Sequence, residues 1–160
     1  MTRGLVATVF VLTLLLMDDL YSDLLLEAAG SLPAAATLPE PDGTGRRISK
    51  VCGSEVEVDL QLQDGQVTDF ALRVKACALG QASASLMAQK LMGSSSGELR
   101  ALPPVVEAML RDDGPAPEGR FQHLKALAPI KAYPARHAST LLIFGAVVDA
   151  LEEAGSRAAA

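Results

Sequence analysis

The sequence predicts an α+β domain, a small antiparallel sheet with helices packed on one face. Three observations carry this. The stretch "EVEVDLQLQDGQVTDFALRV" alternates apolar and polar residues on both sides of an Asp-Gly pair, after Cys77 the apolar spacing lengthens to that of a helix, and strands precede helices along the chain. A chain of 160 residues is long enough for one well-buried core and short for two, so a single domain is expected.

Residues 1–16 read as an apolar leader. Leu5 to Met17 form an apolar run behind one arginine, short for a bilayer span and of the length of a signal-peptide core. It is either a targeting or membrane-associated segment or sequence upstream of a start at Met17. The folded unit is expected over 17–154, with 155–160 as a flexible tail. From Asp18 to Gly30, Leu20, Leu24, Leu25 and Ala28 recur at helical spacing, with two aspartates suited to the helix start. Three prolines and two glycines in "SLPAAATLPEPDGTGRR" then mark a connecting loop.

In the hairpin, Val56, Val58, Leu60 and Leu62 point inward. Glu55, Glu57, Asp59 and Gln61 point outward to a wet face, and Asp64-Gly65 makes the turn. The segment "GRRISKV" adds a third strand. Helices are predicted over 78–92, 96–111 and 136–153. Pro103 and Pro104 mark a break or a new first turn in the second of these. "DDGPAPEGR" is a loop, "SRAAA" a frayed end, and Met87, Met92 and Met109 fill the core.

A net charge of -5, without a Lys/Arg cluster interleaved with aromatics, excludes a nucleic-acid surface. No Ser-His-acid pattern, P-loop or dinucleotide fingerprint is present, so the chain is not expected to be an enzyme. The chemistry that remains lies with two cysteines, too few for a disulfide framework. In "VKACALGQASASLMAQ", Cys77 sits at a strand-to-helix junction, where unpaired N–H groups and the helix dipole favour thiolate. The small residues after it let other backbone approach, as a pocket for a compact ligand needs. Cys52 precedes Gly53 at the start of the hairpin's first strand. Pairing around Asp64-Gly65 would bring both cysteines to the same open end, where two soft metal ligands could converge. The plainer reading of either cysteine is a small buried hydrophobe.

The stretch "VCGSEVEVDLQLQDGQVTDFALRVKACALGQASASLMAQKLMG", followed by a last helix opening with "ARHASTLL", resembles the iron–sulfur cluster scaffold family of the IscU, SufU and NifU N-terminal type. The likeness runs from Leu20 to Leu151. It implies an α+β scaffold in the cytoplasm that receives sulfur from a cysteine desulfurase, assembles a small cluster on three cysteines and passes it to acceptor apoproteins. Two departures stand out. The family pattern Cys-Gly-Asp is here Cys52-Gly53-Ser54, without the carboxylate. The third cysteine is absent: ungapped alignment puts Ser139 in its place, whereas alignment on a His-Cys-Ser motif matches His137 and Ser139 and puts Ala138 there.

The candidate ligands are therefore Cys52, Cys77 and His137, with Ser54 and Ser139 at family ligand positions. They would hold iron or an iron–sulfur cluster. Two thiolates and an imidazole also suit zinc with an open fourth position, or a cluster completed by a partner's ligand, a second copy in a homodimer included. In a regular helix His137 and Ser139 point about 200° apart, so both face one site only if the helix begins after His137. His123 in "RFQHLKAL" reads as a surface residue. Two further readings are a degenerate scaffold that binds no metal and docks the sulfur donor, and a redox protein pairing Cys52 with Cys77.

Overall fold

A computed structural model describes residues 7, 8, 11 and 22–160. Nearly all of the expected leader, the start at Met17, and Asp18 and Asp19 lie outside the described residues. The first helix described in full, α1 (Asp23–Gly30), is capped by Ser22, whose hydroxyl accepts from the Leu25 N–H at 3.4 Å. It buries Leu25 and Ala28 against the rest of the core.

Three strands, β1 (Gly43–Ile48), β2 (Glu55–Gln63) and β3 (Gln66–Lys75), form an antiparallel sheet in the order β1-β2-β3. The Asp-Gly turn forms as its residues require: Asp64 at φ 53° and Gly65 at φ 75° are both left-handed, the conformation whose twist suits a tight hairpin. Val56, Val58 and Leu60 are wholly buried on the helix-covered face.

The other face departs from the expected wet surface, because Asp59 is only 2% exposed. The proline-rich connection folds across it. Leu38 N–H donates to Asp59 Oδ2 at 3.0 Å, the Thr44 hydroxyl to Oδ1 at 2.8 Å, and the Arg73 guanidinium to both oxygens at 2.9 Å. Arg73 also holds Glu57 and the Ala36 carbonyl, each at 2.7 Å. Burial is the largest influence on the Asp59 carboxyl and pushes its pKa up. Arg73, the Leu38 N–H and the Thr44 hydroxyl together outweigh it and leave the carboxyl below its usual range. Alternation along β2 carries no trace of this cover, which arrives from a distant loop.

Helices α2 (Ala78–Leu91), α3 (Ser96–Arg111) and α4 (His137–Ala158) follow. A capping box between Ser95 and Glu98 opens α3. The helix then runs through Pro103 and Pro104 without a break, which corrects the expected interruption. Burial of Leu99, Leu102, Val106, Met109 and Leu110 outweighs the two backbone donors the prolines remove. Met87 and Met109 are buried as expected, but Met92 ends α2 in solvent, 49% exposed. Between α3 and α4 a run of 3-10 turns, Gly119–Ala132, buries Phe121, Leu124, Leu127 and Ile130, every third residue.

Helix α4 extends past the expected Glu153 to Ala158 and lies across β1 and β2. Two glycines permit this. A Cβ at Gly43 would stand 1.9 Å from the Ala150 carbonyl oxygen, and one at Gly45 would stand 1.8 Å from that of Ala146. Glycines in β1 and alanines in α4 therefore let strand and helix backbones touch. That contact fixes where the start of α4 sits over the open end of the hairpin.

Candidate metal centre

Between β1 and β2 the chain turns through Ser49–Ser54. Ser49 N–H donates to the Ser54 carbonyl at 2.8 Å and Gly53 N–H to the Ser49 carbonyl at 2.8 Å, with Gly53 in the left-handed region at φ 73°. Cys52 occupies the exposed tip of this loop. Its Sγ lies 3.1 Å from Ser54 Oγ. The Ser54 hydroxyl, then the Ser49 hydroxyl and the Ser54 N–H, lower its pKa to about 7, with Arg136 adding to the pull. Ser49 Oγ is buried and has no partner at ordinary hydrogen-bond geometry, so Ser54 is the firmer contact and Ser49 acts as a nearby dipole.

Cys77 is the N-cap residue of α2, half-buried. Burial is the strongest influence on its thiol and pushes the pKa up. The Gly80 N–H, the Ser139 hydroxyl, the Leu79 N–H and Arg136 together outweigh burial and bring it below the usual thiol value. Cys77 Sγ is 3.7 Å from Ser139 Oγ, and Ser139 itself donates to the Arg136 carbonyl at 3.1 Å. Gly80 keeps the two helix starts together: a Cβ there would stand 2.7 Å from the Ala76 Cβ and 3.4 Å from the Ser139 carbonyl oxygen. The small residues beyond it serve this packing, with the buried Ser83 hydroxyl donating to the Thr140 carbonyl at 2.6 Å.

The last pair of the hairpin ladder is Glu55 with Lys75. Cys52 precedes that pair and Cys77 follows it, so both cysteines leave the same open end of the hairpin, and Arg136 acts on both thiols. His137 opens α4 but turns elsewhere. It is 6% exposed, and its Nε2 lies 3.0 Å from the Ile130 carbonyl oxygen, to which it donates. Because α4 begins at His137, Ser139 faces Cys77 while the imidazole faces the 3-10 segment. Among the described residues, no three His, Cys, Asp or Glu side chains are grouped to hold a metal ion. His123, expected on the surface, is half-buried, with Nε2 2.7 Å from the Leu86 carbonyl oxygen and Nδ1 buried without a partner. It belongs to the packing of α2.

The candidate centre thus has two thiols biased toward thiolate at one end of the hairpin, Cys52 beside the Ser54 hydroxyl and Cys77 beside that of Ser139, with the Arg136 charge favouring both. Arg136 is the member that reading the sequence missed; its only signal was its position one residue before the last helix. Alkylation should report the arrangement. Cys52 is expected to react with iodoacetamide faster than Cys77, with a pH midpoint near 7, and Ser54→Ala is expected to move that midpoint upward. A midpoint unchanged in Ser54→Ala would remove the hydroxyl from this account.

Residues 27–139 match the model of the NifU-like N-terminal domain. The chain belongs to this family. It is 31% identical over 140 residues to the iron–sulfur cluster assembly scaffold protein IscU of Thermotoga maritima, an alignment covering 84% of this chain and 94% of that protein. The corresponding IscU of Streptococcus pyogenes is 21% identical over 105 residues, 66% of each chain. The crystal structure of a nitrogen-fixing NifU-like protein (N-terminal) from Brucella abortus superposes with a TM-score of 0.86 at 48% identity, covering 89% of this chain and 99% of that one. The α+β fold of the NifU-like scaffolds, a three-stranded antiparallel sheet with its helices, is therefore the fold of this protein. Among the described residues no helix is long and apolar enough to cross a membrane.

Proposed function

We propose that this NifU-like protein is a cytoplasmic iron–sulfur cluster assembly scaffold whose cargo is gathered at Cys52 and Cys77. Sulfur would come from a cysteine desulfurase, and the finished cluster would leave to acceptor apoproteins. The protein carries cargo and completes no catalytic turnover of its own. The supporting observation is the pair of thiols at one end of the hairpin, both pushed toward thiolate by neighbouring hydroxyls and N–H groups, in a member of the scaffold family. Thiolate, not thiol, binds soft metals, so such a pair takes up iron with fewer protons to displace.

His137 is the third candidate ligand. Its Nε2 is engaged with Ile130, so only Nδ1 would be free for metal in this arrangement. Zinc on the two thiolates is the competing cargo.

Anaerobic reconstitution with ferric iron and sulfide tests the reading. The parent protein is expected to gain visible sulfide-to-iron absorption and bound iron, and Cys52→Ala and Cys77→Ala each to lose at least about tenfold in iron content while keeping their circular dichroism. Zinc alone in the parent would make it a zinc protein. An empty parent would leave docking of the sulfur donor as its role.

A further inference from the structure

We propose that the cleft between α3, α4 and the end of β1 is a docking site for an acidic peptide of a partner protein, one that offers a carboxylate beside an apolar side chain. It does not include the cysteines, so it stands independently of the cargo reading. The cleft measures about 310 Å³. Pro103 of α3 and Leu141, Phe144 and Val148 of α4 give it an apolar lining, and Arg47 of β1 and Arg100 of α3 join them. Arg47 is held in place. Its guanidinium lies against the backbone of α4 at Gly145, where a Cβ would stand 3.3 Å from its Cζ and Nε. Its Nε and Nη2 donate to Asp149 at 2.6 and 2.8 Å. A guanidinium has five N–H donors, so three remain for a further acceptor.

Charge selects the occupant. Among the described residues Arg100 makes no ion pair, and the acidic side chains around the cleft are already engaged, Asp149 with Arg47 and Glu107 with Arg111 at 3.4 Å. Three cations, Arg47, Arg100 and Arg111, thus meet two anions, on a chain whose net charge is -5. A basic ligand would be drawn to the rest of the surface, an acidic one to this cleft. The excess is one charge. That matches one carboxylate, which guanidinium groups bind in a planar fork, and falls short of the charge of a phosphate group near neutral pH. Leu141 follows Ser139 by two residues, so a protein held here by such a peptide would stand beside the open end of the hairpin.

The probe is a fluorescein-labelled decapeptide of alternating glutamate and leucine, titrated with the full chain and followed by fluorescence anisotropy, with amide NMR to locate it. Binding in the micromolar range is expected, with shifts at Gly145 and Val148. It should weaken several-fold as salt rises from about 0.05 to about 0.5 M. Arg100→Glu, at an exposed position, and Val148→Asp, in the apolar lining, are each expected to weaken binding about tenfold. Val105→Asp adds the same charge to α3 outside the cleft and should bind as the parent does. Equal binding of a decapeptide of alternating lysine and leucine would overturn the proposal, and so would equal binding of one of alternating glutamate and serine. No binding at millimolar protein, or an equal loss in Val105→Asp, would overturn it as well. Iron uptake by Arg100→Glu in reconstitution should match the parent. A loss there would make the cleft part of cargo loading and end its separate role.

Discussion

Gly45→Ala is expected to cost the domain about 3 kcal/mol or more, lowering its melting temperature by roughly 10 °C. The added Cβ would stand 1.8 Å from the Ala146 carbonyl oxygen and 2.7 Å from the Ala150 N, both backbone atoms that no side-chain rotation can move aside. Strand β1 and helix α4 would have to separate. With α4 displaced, the Ser139 hydroxyl and the Arg136 charge would draw away from Cys77, so the midpoint of Cys77 alkylation should rise together with the loss of stability, while that of Cys52, set mainly by its own loop, should move little. Gly30→Ala is the control, because nothing lies within 4 Å of its added methyl group. A melt of Gly45→Ala within a degree or two of the parent would show that the close strand–helix contact is dispensable.

The second large effect is a gain. Ser139→Cys is expected to raise cluster occupancy several-fold over the parent in reconstitution, because it places a soft thiolate where a hydroxyl now stands 3.7 Å from Cys77 Sγ. Ala138→Cys is expected to leave occupancy at the parental level, since position 138 precedes the residue that meets Cys77. The reverse order would put the family's third cysteine at 138 and make Ser139 an incidental neighbour. His137→Ala belongs in the same series. A ligand acting through Nδ1 would lose metal as Cys77→Ala does, whereas a side chain that only ties α4 to Ile130 would lose stability and keep its metal.

The hairpin was legible because its information is local. Alternation fixes which residues of β2 face the core, and Asp64-Gly65 needs only its own two left-handed residues to make the turn. Both cysteines could be placed at the open end for the same reason. What escaped was non-local. Nothing near Asp59 in sequence says that residues 36–38 will cover it, and nothing near His123 announces the Leu86 carbonyl. Pro103 and Pro104 misled because their local preference is real but weaker than the apolar stripe that carries α3 through them. The 3-10 segment repeats its apolar residues every third place, a period that templates for helix and strand both pass over. At the site, Arg136 came from a different element than either cysteine, so only the folded chain unites them.

The cover over Asp59 has a consequence for the order of folding. Its carboxylate lies on β2 and its guanidinium partner on β3, so the complete clamp that grips the proline-rich connection does not exist until those two strands have paired. Leu38 and Thr44 can reach Asp59 on β2 alone, but the Arg73 part of the clamp is expected to close only once β3 is in place. Acid reverses the sequence: as pH falls through the lowered pKa of Asp59, protonation weakens the grip from Leu38, Thr44 and Arg73 together, and the strap would lift while the hairpin beneath it still holds.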